Sequence, residues 1–185
     1  EEGIKRGMYL FEKDEKATVQ LLGSGVILRE VIKAAKILRD EYQIHSNVFS
    51  VTSFNELARD GMACEEYNRL HPLAEEVKES WVSKQLRGTE GIVVSATDHM
   101  RAYSEQIRAY LPDGRPFVAL GTDGYGRSAT RANLRSFFGV DAAHIVVATL
   151  KKLADEGEVD ARLVKDAISN FELDTDRPVA WVPQA

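Results

Sequence analysis

The sequence has 185 residues, of which 44% are hydrophobic and 29% are charged, and its formal net charge is −5. These values are ordinary for a soluble globular protein, and the length suits a single domain over residues 1–185. No stretch approaches the ~20 apolar residues that a membrane-spanning helix needs, and no long basic block supports nucleic-acid binding.

The first half of the chain shows two strand–helix pairs. The apolar run at 17–22 predicts a strand, and an amphipathic pattern predicts a helix from about Val26 to Tyr42. Residues 47–53 predict a second strand, which a short helix over 54–61 follows. Residues 7–12 favour an additional edge strand.

The middle of the chain is harder to interpret. His71-Pro72 ends any helix before it, because proline disfavours a helical residue at the preceding position. A helix is predicted from Glu76 to Leu86, and the run at 91–96 predicts a third strand. Thr97 or Asp98 can cap the helix that follows.

The second half continues the same alternation. Residues 116–121 predict a fourth strand, and helices are predicted from Ser128 to Gly139, from Asp141 to Gly157 and from Asp160 to about Asn170. Residues 178–185 are expected to be irregular or extended. Strands that alternate with helices predict a three-layer α/β fold, with a mostly parallel twisted sheet of about five strands flanked by helices.

Polar residues follow several of the predicted strands. Because ligands gather at the carboxyl ends of parallel strands, this edge is a candidate contact surface. An equally simple interpretation is that each Ser, Thr or Asp only caps the next helix. The candidates for contacts with another domain or a dimer partner are Ser24, Ser53, Asp98, His99, Asp123 and Arg127.

Other local patterns do not indicate chemistry. In the GSG at 23–25, Leu28 stands where a dinucleotide motif needs its third glycine, and no phosphate-binding loop is present. The four histidines lack metal-ligand spacing, and Cys64 is interpreted as a small semi-buried side chain in a reducing compartment. The sequence therefore predicts no catalytic residue, no cofactor-binding residue and no metal ligand.

Two further patterns remain open. Arg127, Arg131 and Arg135 recur every fourth residue, which suits either an anion-binding stripe or, as we favour, a solvated helix face. Asp98 beside His99 suggests an acid–base pair, but adjacent helical residues point in different directions. The chain begins with glutamate rather than methionine, which favours a fragment of a longer protein or a processed one.

Five motifs in order carry a family resemblance. They are QLLGSGVILREVIKAAKIL, VFSVTSFNELARDG, the LHP at 70–72, ATDHMRAYSEQIRAYLP and ALGTDGYGRSATRANLRSFFGVD. Together they closely resemble the transketolase-like carboxyl-terminal domain of the homodimeric bacterial pyruvate dehydrogenase E1 components. The resemblance runs from about residue 7 to residue 170, and the pairing of SVTSFNELARDG with GTDGYGRS is its most specific part.

The resemblance implies an enzyme that decarboxylates pyruvate with thiamine diphosphate and magnesium, and then reductively acetylates the lipoyl group of the dihydrolipoamide acetyltransferase component. It places the cofactor-binding residues in the preceding domains, so that this domain holds no cofactor and is inactive alone. It implies a cytoplasmic homodimer in which this domain serves assembly and the surroundings of the active site. The alternatives are the equivalent domain of a transketolase or deoxyxylulose-phosphate synthase, and a free-standing α/β module that binds an anion or a protein.

Overall fold

The computed structural model describes residues 1–182, which form a five-stranded sheet in the order β1-β3-β2-β4-β5. Strands β2 to β5 are parallel, and β1 pairs antiparallel with β3 at one edge. The mostly parallel sheet and the added edge strand were both predicted from the sequence. The strands are β1 (Met8–Glu12), β2 (Val19–Ser24), β3 (Ser46–Val51), β4 (Ile92–Ala96) and β5 (Phe117–Leu120).

Helices cover both faces of the sheet. The first core contains side chains from α2, α7 and α8, and the second contains side chains from α3 and α4. The helices are α1 (Glu2–Lys5), α2 (Leu28–Tyr42), α3 (Phe54–Leu70), α4 (Trp81–Leu86), α5 (Arg101–Glu105), α6 (Arg131–Phe138), α7 (Ala142–Asp155) and α8 (Ala161–Asn170).

The central strands show why the sheet needs both layers. Successive side chains of a strand point to opposite faces. In β2, Leu21 belongs to the first core and Leu22 to the second, and Val94 and Val93 of β4 divide in the same way. All four side chains are at most 1% exposed. Continuous apolar runs of this kind are typical of a parallel sheet that is buried on both sides.

Helix α3 is longer than the predicted helix over 54–61, because Gly61 does not end it. This glycine is buried, and a Cβ there would lie 2.4 Å from a ring carbon of Tyr110, so it provides space for the tyrosine. The helix instead ends at Leu70, directly before His71-Pro72, as the proline predicts.

Other predicted boundaries also move. The helix expected from Glu76 begins only at Trp81, where the Ser80 hydroxyl accepts from the Ser83 amide at 3.3 Å. The helix expected after Thr97 or Asp98 starts at Arg101 without a side-chain cap. Short 3₁₀ turns over Arg108–Tyr110 and Pro112–Gly114 complete that connection.

The last three helices confirm two predicted caps and correct a third. Asp141 and Asp160 accept hydrogen bonds from the first turns of α7 and α8, at 3.0 and 2.7 Å. Helix α6 begins at Arg131 and uses Thr130 as its cap, so the predicted start at Ser128 was wrong. The prediction of irregular structure over 178–185 is confirmed for 178–182, and residues 183–185 lie outside the described part of the chain.

Candidate functional site

The parallel register brings the carboxyl ends of four strands to one edge of the sheet. Ser24 pairs with Val51, and Ala96 pairs with Leu120. We call this edge, formed by residues 24–26, 52–53, 97–101 and 121–127, the rim. All six candidate contact residues lie on it, and their role in contacts stays a prediction: Ser24, Ser53, Asp98, His99, Asp123 and Arg127.

Asp98 lies between the turns that follow β2 and β5. Its carboxylate is near Gly25, where an added Cβ would lie 3.5 Å from Oδ1. Its main-chain oxygen accepts a hydrogen bond from the Thr122 hydroxyl at 2.6 Å, and the next carbonyl, of His99, accepts from the Thr122 amide at 2.9 Å. These bonds hold the main chain at Asp98 and His99, and the exposed Asp98 carboxylate lies in the middle of the rim.

Asp98 and His99 do not form the acid–base pair that their adjacency suggested and that we argued against from the sequence. The His99 ring instead packs against the Tyr103 ring, with 5.4 Å between the centroids. Within residues 1–182, no hydrogen bond joins the Asp98 carboxylate to the His99 imidazole. Both side chains are exposed and available for contact with another surface.

Asp123 ties the turn after β5 to the start of α5. Its carboxylate accepts from the Arg101 main-chain amide at 3.3 Å and from Arg101 Nε at 2.5 Å. The Asp123 side chain is 26% exposed and the Arg101 side chain 49%, so this charge-assisted pair lies at the surface. Asp123 therefore holds the conformation of the turn and is not a free acid.

The two rim serines have local roles of different kinds. The Ser53 hydroxyl accepts from the Glu56 amide at 3.1 Å and caps α3, as the simpler interpretation of the rim predicts. Ser24 is 8% exposed and precedes a 3₁₀ turn over Gly25–Ile27, where its side chain makes no capping bond. Of these two residues, only Ser53 is explained by capping.

The three spaced arginines do not form one stripe. Arg127 precedes α6, and its guanidinium lies 4.4 Å from the centroid of the Phe137 ring. Arg131 is exposed on α6. Arg135 turns inward, its side chain is 21% exposed, and it pairs with Glu30. The interpretation as a solvated helix face was therefore wrong for Arg135.

Glu30 is the residue that the sequence argument missed. It lies on α2 and is only 5% exposed, yet it accepts from Arg135 Nη1 at 2.8 Å and from the Ala142 amide at 3.3 Å. The sequence pattern could have indicated that Glu30 is buried, because position 30 falls on the apolar side of α2, three residues after Ile27 and four before Ala34. A carboxylate at such a position needs a cationic partner.

The rim encloses a cavity of about 310 Å³ beside the turn after β5. Its wall combines apolar rings with charged groups: Asp98, Thr122, Tyr125, Arg127, Arg135 and Phe138 are among the lining residues. The arginines in this wall already contact Phe137 and Glu30. The cavity thus presents an aromatic and hydrogen-bonding surface rather than an open cation site.

The rim residues do not fit thiamine diphosphate with magnesium. A magnesium site requires free oxygen ligands, and the Asp123 carboxylate is occupied by Arg101. Within residues 1–182, no three His, Cys, Asp or Glu side chains are placed to hold a metal ion. Over the same residues, no helix is both long and apolar enough to cross a bilayer.

A family model described as the transketolase-like TK C-terminal domain matches residues 7–141. The pyruvate dehydrogenase E1 component of Pseudomonas aeruginosa is 49% identical over 180 residues, which cover 96% of this chain and 20% of that protein. The same component of Escherichia coli K12 is 49% identical over 179 residues, with the same coverage. The chain therefore spans about a fifth of the length of these curated relatives.

The fold also matches solved structures. Transketolase from Leishmania mexicana aligns with 98% of this chain and 20% of its own, with a TM-score of 0.52 and 18% sequence identity. At that identity the match establishes the shared fold alone.

Proposed function

Since the chain belongs to the family of transketolase-like carboxyl-terminal domains, we propose that it is the carboxyl-terminal domain of a pyruvate dehydrogenase E1 component. The observation that carries this proposal is the 49% identity to two such components over 96% of the chain. The equivalent domain of a transketolase is less well supported, because the transketolase from Leishmania mexicana shares 18% identity.

On this proposal, the complete cytoplasmic enzyme decarboxylates pyruvate with thiamine diphosphate and magnesium, and passes the acetyl group to the lipoyl group of the dihydrolipoamide acetyltransferase component. The cofactor, when bound, supplies the nucleophilic carbon for decarboxylation. The predicted absence of catalytic, cofactor-binding and metal-binding residues from this domain stays a prediction. This prediction is supported by the finding that the rim residues do not fit thiamine diphosphate with magnesium.

The role that we propose for this domain is contact with the preceding domains of its own chain and with a homodimer partner. Three rim side chains support this role, because Val26, Met100 and Tyr125 are apolar or aromatic and are 54%, 51% and 66% exposed. Exposed apolar groups beside polar ones are typical of protein-contact surfaces. The Asp123–Arg101 pair and the Thr122 bonds hold the turn that carries Tyr125 in one conformation.

The test compares the complete polypeptide of the native gene with the same polypeptide lacking residues 1–185. We expect the deletion to weaken the dimer and to lower pyruvate decarboxylation, measured by sedimentation velocity and by steady-state assay. An unchanged dimer with unchanged activity would reject the proposed role. A native gene that encodes only this chain would reject the assignment itself.

A further inference from the structure

The last described residues, 177–182, fold back onto the molecule, and we call them the tail. Arg177 anchors the tail, because its Nη1 donates to the carbonyls of Ser136 and Phe137 at 2.5 and 3.2 Å, in the last turn of α6. Cationic side chains at this end of a helix satisfy its free carbonyls. At Gly124, a Cβ would lie 2.5 Å from the Ala180 carbonyl oxygen, so the tail crosses directly over the turn after β5.

The tail closes one side of a cavity of about 410 Å³. This volume lies within the range of about 300–1,000 Å³ that small-molecule sites occupy. The apolar part of the wall comes from three elements, α6, α7 and the tail, and includes Phe137, Phe138, Val147, Ala148, Pro178 and Val179. The cavity lies on the tail side of the turn, and the smaller rim cavity shares Phe138 with it.

Charged groups in this wall favour an anion. Among residues 1–182, the basic side chains Arg101, Lys151 and Arg177 line the cavity, against the single carboxylate of Asp123. Arg101 and Asp123 pair with each other.

The charges of the other two basic groups are less fully compensated. Arg177 donates to neutral carbonyls and, among residues 1–182, forms no ion pair within 4.0 Å, although its charge acts on the nearby Asp141 carboxylate. Lys151 pairs with Asp155, but their side chains are 60% and 49% exposed, and exposed pairs of this kind contribute little. Lys151 can therefore turn toward a ligand at small cost.

We propose that this cavity binds a small organic anion with a flat apolar body, the class that includes aromatic carboxylates. The apolar body contacts Phe137 and Val147, and the carboxylate lies toward Lys151 and Arg177. A site of this kind follows the usual design of ligand pockets, in which apolar walls supply the contact area and a few polar groups fix the orientation. The inference does not depend on the proposed function.

The test uses 1-naphthoate as the probe and the neutral 1-naphthamide as its matched control, titrated calorimetrically into the 185-residue chain. We expect one molecule of 1-naphthoate to bind per chain, at least about tenfold more tightly than the amide, which corresponds to roughly 1.4 kcal/mol. Equal affinities for acid and amide, or no binding of either at millimolar concentration, would overturn the proposal.

Two substitutions locate the site. Ala148→Trp fills the cavity and should abolish binding, whereas Lys151→Ala should weaken it several-fold without affecting the fold, because Lys151 is exposed. Lys165→Ala, at an exposed position on α8, is the matched control and should leave the affinity unchanged. Circular dichroism verifies that each variant is folded. Unchanged binding in both Ala148→Trp and Lys151→Ala would contradict the assignment of this cavity.

Discussion

Glu30 and Arg135 are 105 positions apart in the sequence, yet Arg135 Nη1 donates to Glu30 Oε1 at 2.8 Å. The second carboxylate oxygen of Glu30 accepts from the Ala142 amide at 3.3 Å, at the start of α7. One buried carboxylate thus joins α2 to α6 and α7, the helices next to the turn after β5. Arg135 also lines the rim cavity together with Arg127 and Phe138, so the pair holds one part of that wall.

The Glu30–Arg135 pair predicts a large effect of losing one partner. Arg135→Ala removes the less exposed of the two cations that contact Glu30 and leaves this buried carboxylate only Lys33, whose side chain is 63% exposed. We expect the free energy of unfolding to fall by about 2 kcal/mol. Arg131→Ala, at an exposed position in the same helix, is the control and should change it by less than about 0.5 kcal/mol. Urea denaturation of both variants measures the difference. Equal effects would show that the pair adds no stability.

The start of α6 gives a second prediction. The Thr130 hydroxyl accepts from the Asn133 amide at 3.2 Å, so Thr130→Ala should cost about 1 kcal/mol. Ser128 lies before the helix, and Ser128→Ala should cost almost nothing. Thermal and urea denaturation of the two variants distinguish them, and the reverse order of effects would restore Ser128 as the cap.

Gly124 gives a third prediction, since its φ of 122° and the nearby Ala180 carbonyl both disfavour a side chain. Gly124→Ala should lower the free energy of unfolding by about 2 kcal/mol. Gly126→Ala is the matched control, because no atom lies within 4 Å of its added Cβ. In a chain truncated after residue 176, Gly124→Ala should lower the free energy of unfolding by a smaller amount, because only the cost of the positive φ remains. If Gly124→Ala lowers the free energy of unfolding equally in both chains, the tail does not contact this turn.

The Asp141–His144 contact predicts a dependence on pH. Burial raises the pKa of Asp141, but hydrogen bonds from His144 and the positive charge of Arg177 outweigh it, so that this pKa lies below its usual range. A carboxyl whose pKa is lower in the folded state adds stability above its unfolded pKa and loses it as the pH falls through the folded one.

We therefore expect the stability difference between the natural chain and Asp141→Asn to be constant from about pH 5 to pH 6 and to shrink below about pH 4. Asparagine keeps an oxygen that can cap α7, so this substitution isolates the charge. Urea denaturation at several pH values measures the difference. A difference that grows toward low pH would contradict the direction of the pKa shift.

Most of the fold could be predicted because its signals are local. The apolar run of β2 and the amphipathic pattern of α2 each specify an element without knowledge of the rest of the chain. The order of polar residues after the parallel strands was also sufficient to place six rim candidates at one edge. Boundaries were less predictable where two residues compete for one role, as Ser128 and Thr130 do for the cap of α6.

The contacts that give the rim its shape could not be predicted, because they join residues distant in sequence. In the sequence, Gly61 is typical of a helix end, and only the tertiary structure shows that Tyr110 packs against it. The spacing of Arg135 is typical of a surface charge, and only the tertiary structure shows that it pairs with the buried Glu30. The tail carries no periodic pattern, so its crossing over Gly124 depends on tertiary packing alone.

Sedimentation velocity of the complete native polypeptide carrying Val26→Asp and Tyr125→Asp tests whether the rim is an assembly surface. Both side chains are exposed here, at 54% and 66%, so the 185-residue chain should keep its unfolding free energy. Ala161→Asp, at an exposed position at the start of α8 and outside the rim, is the control. We expect a weakened dimer for the rim variant and an unchanged dimer for the control. If the rim variant sediments as the unmodified dimer does, the rim is not an assembly surface.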